Sequence, residues 1–260
     1  MKIKERHANP IHTPVLLGVA ILLIAACGGE TAATASPTPP LRPKTLFQSK
    51  LSNPQVSGEF DIVRQVNVYP PGSFSVQHTH AGPVLITVTK GTLTMRVGGI
   101  EKDVAAGESF IEEVGPVVQA GNKTSTDVEW VADIFVPKGA TVSTPVPGAK
   151  PIGTPVVAKY TYRLTNASMS GAWDLARLGQ EFGAGAWTAK HKHGGKGFVT
   201  VLEGELTLRI DGTEKTYKAG ETFIEEAGQT IEVGNKGSVT ARNVAGFMLP
   251  QGAALTTAVT

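Results

Sequence analysis

The chain has 260 residues, of which 41% are hydrophobic and only 6% aromatic, with 30 Gly and 17 Pro. That length suits two small modules better than one, and their cores must rest on Val, Ile, Leu and Ala. With a formal charge of +2 and no basic run, the chain has no electrostatic case for binding nucleic acid.

At the N-terminus, Lys2, Lys4 and Arg6 precede an apolar run from Val15 to Ala26. The run is too short to span a bilayer and has the charged-then-apolar order of an export signal. It ends in Leu23-Ile24-Ala25-Ala26-Cys27-Gly28, which resembles the lipobox of bacterial lipoproteins. The resemblance implies that residues 1–27 are a lipoprotein signal peptide and that Cys27 is diacylated. The lipid would make the membrane a partner and place the mature protein on the extracytoplasmic face of a bacterial cell membrane. Two acyl chains anchor stably where one does not. Cys27 is the single cysteine, so a mature chain with Cys27 acylated has no thiol for disulfides, zinc or nucleophilic catalysis. Residues 28–45 are Pro-, Ser- and Thr-rich with almost no large apolar side chain, and they read as a tether.

Beyond the tether the chain repeats itself. A shift of 113 positions lays residues 72–140 on residues 185–253 without a gap. GESFIEEVG at 107–115 falls on GETFIEEAG at 220–228, and Arg64 falls on Arg177. Two units follow from this duplication, at 46–142 and 156–260, joined by a Pro/Gly linker at 143–155. In TLTMRV (92–97) and ELTLRI (205–210), apolar and polar residues alternate with the period of a half-buried strand. Gly98-Gly99 and Asp211-Gly212 are hairpin signals at the ends of these strands. The pattern predicts an all-β protein with two tandem antiparallel β-barrels.

Each unit carries one chemical motif at the same place: Gly72-x5-His78-x-His80 and Gly185-x5-His191-x-His193. Histidines at i and i+2 of a strand share a face, so their ring nitrogens can converge on one ion. The donor type suits several transition metals equally. The pairs persist while their flanks differ, as at Gln77/Lys190, Thr79/Lys192 and Pro83/Lys196. The competing reading makes them hydrogen-bonded polar residues of a barrel rim.

With Gly91 and Gly204 at the end of this frame, the motif is similar to the first motif of the cupins. Gly107, Gly115 and Asn122, and Gly220, Gly228 and Asn235, resemble the frame of the second. The resemblance implies jelly-roll barrels holding a divalent metal such as Zn, Mn, Fe or Ni. It also shows departures. Val84 and Gly197 stand where the family has a ligating glutamate, Val118 and Ile231 where it has a third histidine, and Glu113 and Glu226 where it has proline. Glu112 and Glu225 precede these last positions and are candidates for a further ligand, or else solvent-facing strand residues. Adjacent strand residues point oppositely, so only one of each Glu pair can face a pocket. Val118, Ile231, Phe74 and Trp187 are the pocket-wall candidates.

Two functional readings follow. One is a surface-exposed lipoprotein that binds a small molecule, a divalent metal or both in the barrel mouths. The other is a metal-dependent cupin enzyme of dioxygenase, isomerase or decarboxylase type, with an atypical two-histidine site. No serine–histidine–acid, phosphate-loop or dinucleotide motif supports another enzyme class.

Overall fold

The computed structural model describes residues 40–56 and 58–259. The expected signal peptide, Cys27 and most of the tether lie outside the described residues. Among the described residues there are only strands and turns, and no helix is long and apolar enough to cross a membrane.

Ten strands belong to the first repeat: β1 (Lys44–Ser52), β2 (Phe60–Tyr69), β3 (His78–Thr79), β4 (Val84–Lys90), β5 (Thr92–Val97), β6 (Ile100–Ala105), β7 (Ser109–Glu112), β8 (Val118–Gly121), β9 (Val128–Pro137) and β10 (Thr144–Pro145). The second repeat supplies their counterparts: β11 (Ala158–Ala167), β12 (Trp173–Phe182), β13 (His191–Lys192), β14 (Lys196–Glu203), β15 (Glu205–Ile210), β16 (Thr213–Lys218), β17 (Thr222–Glu225), β18 (Ile231–Gly234), β19 (Ala241–Pro250) and β20 (Thr257–Ala258). The hairpin signals work as turns. Gly98 and Gly99, and Asp211 and Gly212, all take positive φ, which a two-residue turn between twisted strands requires.

Each barrel is built from two five-stranded antiparallel sheets. The smaller sheets run β10-β3-β8-β5-β6 and β16-β15-β18-β13-β20. The larger sheets run β11-β2-β9-β4-β7 and β1-β12-β19-β14-β17. The repeats therefore exchange their first strands: β1 pairs with β12 of the second repeat, and β11 pairs with β2 of the first. The two barrels are interlocked by this exchange.

The exchange explains why β2, β4 and β9 lack the simple alternation seen in β5. Val84, Ile86 and Val88 of β4 face the core of the first barrel, while Leu85 faces a second apolar layer between the barrels. That layer contains Phe60, Phe135, Trp173 and Phe198, with Phe60 stacked on Trp173 at 5.7 Å between ring centroids. Strands covered on both faces read as continuous apolar runs.

Residues 143–155, expected as a linker, are strapped to the first barrel. β10 pairs with β3, the Val146 N–H donates to the Gln77 carbonyl, and Ile152 bridges to Phe74. The chain has little free length here, because backbone groups near the barrel mouth find partners there.

Candidate metal centres and cavities

β3 and β13 are two-residue strands, each held between a four-residue strand (β8 or β18) and a second two-residue strand (β10 or β20), with His78 opposite Val118 and His191 opposite Ile231. Each imidazole is fixed by its inner nitrogen. The Nδ1 atoms of His78 and His80 lie 2.7 and 2.8 Å from the carbonyl oxygens of Val76 and Val142. Those of His191 and His193 lie 2.8 and 2.5 Å from the carbonyls of Ala189 and Leu255. A carbonyl oxygen only accepts, so each Nδ1 carries the proton. A neutral ring then presents a bare lone pair at Nε2.

In the first barrel two such nitrogens face each other, with His78 Nε2 3.0 Å from His80 Nε2. The Glu112 Oε2 lies 3.3 Å from the same His80 nitrogen. The second barrel repeats this at 3.2 Å between His193 Nε2 and Glu225 Oε2. Glu225 Oε2 is buried without a hydrogen-bond partner, because a bare His193 Nε2 has no proton to give it.

Register explains how the glutamates arrive. Glu112 pairs directly with Val84, and Glu225 with Gly197. These are the two positions where the cupin motif would put its glutamate. In this chain the carboxylate comes from the adjacent strand and reaches the second histidine of each pair. Glu112 and Glu225 are buried, while Glu113 and Glu226 are exposed. Gly197 makes room: a Cβ there would lie 3.2 Å from Glu225 Oε2 and 2.5 Å from the Phe247 ring.

The donor set fits a divalent cation. Two bonds of about 2.1 Å meeting near a right angle leave nitrogens about 3.0 Å apart, the observed His78–His80 separation. Two imidazoles and a carboxylate form a recognised set with open coordination positions. Two neutral lone pairs at that distance repel unless a proton or a cation lies between them. The contacts run as a chain from His78 to His80 to Glu112, and no group of three ligating side chains among the described residues is already spread around a single point. Burial lowers the pKa of His78 and of His191 and outweighs the opposing pull of the Val76 and Ala189 carbonyls, favouring neutral, ligating rings.

Each centre opens on a cavity. The first is about 320 Å³ and is lined by Asn67, Tyr69, Trp130 and Ile134 together with His78, His80 and Glu112. The second is about 210 Å³, with Gln180, Lys190, Asn243 and Phe247 beside His191, His193 and Glu225.

Four expected wall residues are placed elsewhere. Phe74 lies across Gly121 and Trp187 across Gly234, each capped by an arginine, Arg96 or Arg209, at 4.1 Å. Val118 and Ile231 are buried beside the histidine strands and line neither histidine cavity. Much of the walls comes instead from β2, β9, β12 and β19. Sequence reading missed these because it followed the family motifs, which do not include those strands.

A profile of the cupin domain matches residues 65–136 and 180–245. No curated protein matches the chain in sequence. Among solved structures, a Bacillus subtilis oxalate decarboxylase studied for its Mn(II) centres is 12% identical over 85% of this chain and 80% of its own, with a TM-score of 0.56. The formate complex of Lactobacillus farciminis oxalate decarboxylase is 9% identical over 81% of this chain and 88% of its own, with a TM-score of 0.55. At such identities the likeness speaks for the fold alone.

Proposed function

Because the chain belongs to the cupin domain family, we propose that it is a two-barrel binding protein. Each barrel holds a divalent cation on two histidines and one glutamate, next to a cavity for a small molecule. Cys27 ties the protein by lipid to the outer face of the cell membrane. The observation that carries the metal reading is the pair of Nε2 atoms 3.0 Å apart with a buried carboxylate 3.3 Å from one of them. The likeness to a decarboxylase with Mn(II) centres supports Mn(II) as the first metal to try.

The test is Glu112→Gln, which keeps the shape and removes the charge. Mn(II) affinity at the first centre should fall at least about tenfold, since a neutral amide is a much poorer ligand than a carboxylate. Unchanged affinity would remove Glu112 from the centre.

The enzyme reading draws on the same centre. Three protein ligands leave positions open beside a cavity, which suits metal-assisted chemistry. Oxalate is the first substrate to assay on Mn(II)-loaded protein, because the likeness points to enzymes that decarboxylate it.

A further inference from the structure

Asn67 and Trp130 stand directly opposite each other on β2 and β9. Residues so paired share a face of the sheet and hold their side chains close. Both are buried, both line the first cavity, and neither the Asn67 Nδ2 nor the Trp130 Nε1 has a hydrogen-bond partner. Two orphaned donors side by side are unusual, because buried polar groups are normally paired. An indole N–H donates and cannot accept, so Trp130 sets the polarity of the pair. Asn67 presents its Nδ2 as the second donor.

We propose that Asn67 and Trp130 form a two-donor clamp for a carboxylate or carbonyl oxygen of a small organic ligand. The clamp belongs to the first barrel only and deepens the binding reading, resting on it for the cavity. Ile86, Ile134 and Val156 supply apolar wall for the rest of the ligand. A cation on His78, His80 and Glu112 offsets the Glu112 charge and admits a carboxylate, whereas a neutral carbonyl compound needs no such offset.

The second barrel has no such pair. Its equivalent residues, Gln180 and Asn243, are also opposed across two strands. There the unpartnered atom is an oxygen, Asn243 Oδ1, and Lys190 joins a smaller cavity. The duplicated histidines and glutamate have stayed alike while the ligand-facing walls have diverged.

Benzoate, benzamide and benzylamine test the clamp, since they share a ring and differ in the polar group. Titration calorimetry would use the full mature chain with and without Mn(II), with metal content measured on the same samples. Benzoate to the loaded protein and benzamide to either form should bind saturably; benzylamine, a cation without a carbonyl, should not. Asn67→Leu and Trp130→Phe should each weaken benzamide binding about tenfold, the worth of a well-placed hydrogen bond. Both variants should keep their metal; Trp130→Phe also removes core volume beside Tyr69 and is compared with the wild type by circular dichroism for an intact fold. Equal binding of all three probes, benzamide affinity unmoved in both clamp variants, or no saturable benzamide binding would overturn the clamp. Failed Mn(II) uptake with intact benzamide binding would overturn the metal reading and leave the clamp standing.

Discussion

Arg64 and Arg177, equivalent residues of the two repeats, grip the same carboxylate. Asp133 lies 2.7 Å from Arg64 Nε and 2.6 Å from Arg177 Nη2, and all three side chains are fully buried between the barrels. The position equivalent to Asp133 in the second repeat is Gly246, where a Cβ would come within 2.5 Å of Arg64 Nη2. Two buried cations thus share one anion. Further donors reach the other repeat's backbone carbonyls and a threonine each, Arg64 to Phe198, Val244 and Thr200 and Arg177 to Leu85, Val131 and Thr87, while Arg177 Nε is left without a partner. Each arginine reaches into the other repeat, so the triad latches the strand exchange.

Asp133→Asn should therefore destabilise the protein by about 3–5 kcal/mol, the cost of leaving buried charge unpaired. Urea unfolding of the variant against the wild type measures this. A loss under about 1 kcal/mol would show that the carbonyls alone hold both guanidiniums.

The same ion triad sets an acid limit. Burial pushes the Asp133 carboxyl up, but the Arg177 and Arg64 charges outweigh it and hold it below the usual 3.8. A group with a depressed folded pKa adds stability that is complete above its unfolded value and is lost as pH falls through the folded one. The difference in unfolding free energy between wild type and Asp133→Asn should stay level from pH 7 down to about 4, and shrink only below that. A difference that shrinks already between pH 7 and 5 would contradict the depressed value.

Strand exchange also predicts what the halves do alone. Residues 40–157, with β1 to β10, lack the β11 that completes their larger sheet. Two copies can swap β1 strands, and each copy brings both an Arg64 and an Asp133. This fragment should form a β-rich homodimer by light scattering and circular dichroism. Residues 153–260 would bring two Arg177 and no aspartate to the same interface, and should fold poorly. A cooperatively folded monomer from either half would refute the interlock.

The duplication, the turns and the histidine pairs were legible because they are local or periodic. Glu112 and Glu225 were named, but their role depended on register: only pairing with Val84 and Gly197 turns them toward the histidines. The exchange of β1 and β11 was not legible, since long-range pairing leaves no mark in a segment's own pattern. Asp133 against Gly246 was a visible break in the repeat, and its meaning needed the barrels to be docked. Phe74 and Trp187 were misplaced because aromatics near a motif can sit on either face of a strand; here Gly121 and Gly234 make a seat for the rings on the far side.

For the anchor, Cys27→Ser should abolish incorporation of a labelled fatty acid, because acyl transfer needs the thiol. The variant should also leave the membrane fraction or accumulate with its signal segment uncut. Equal labelling of wild type and variant would refute lipidation at this residue.

Metal stoichiometry tests the central claim most directly. The protein would be saturated with Mn(II), dialysed against a known free concentration and analysed for bound metal. Two equivalents should bind to the wild type. One should bind to His78→Ala/His80→Ala and one to His191→Ala/His193→Ala, with each variant still folded by circular dichroism. No saturable binding by the wild type, or the same stoichiometry in all three proteins, would contradict the two-centre account.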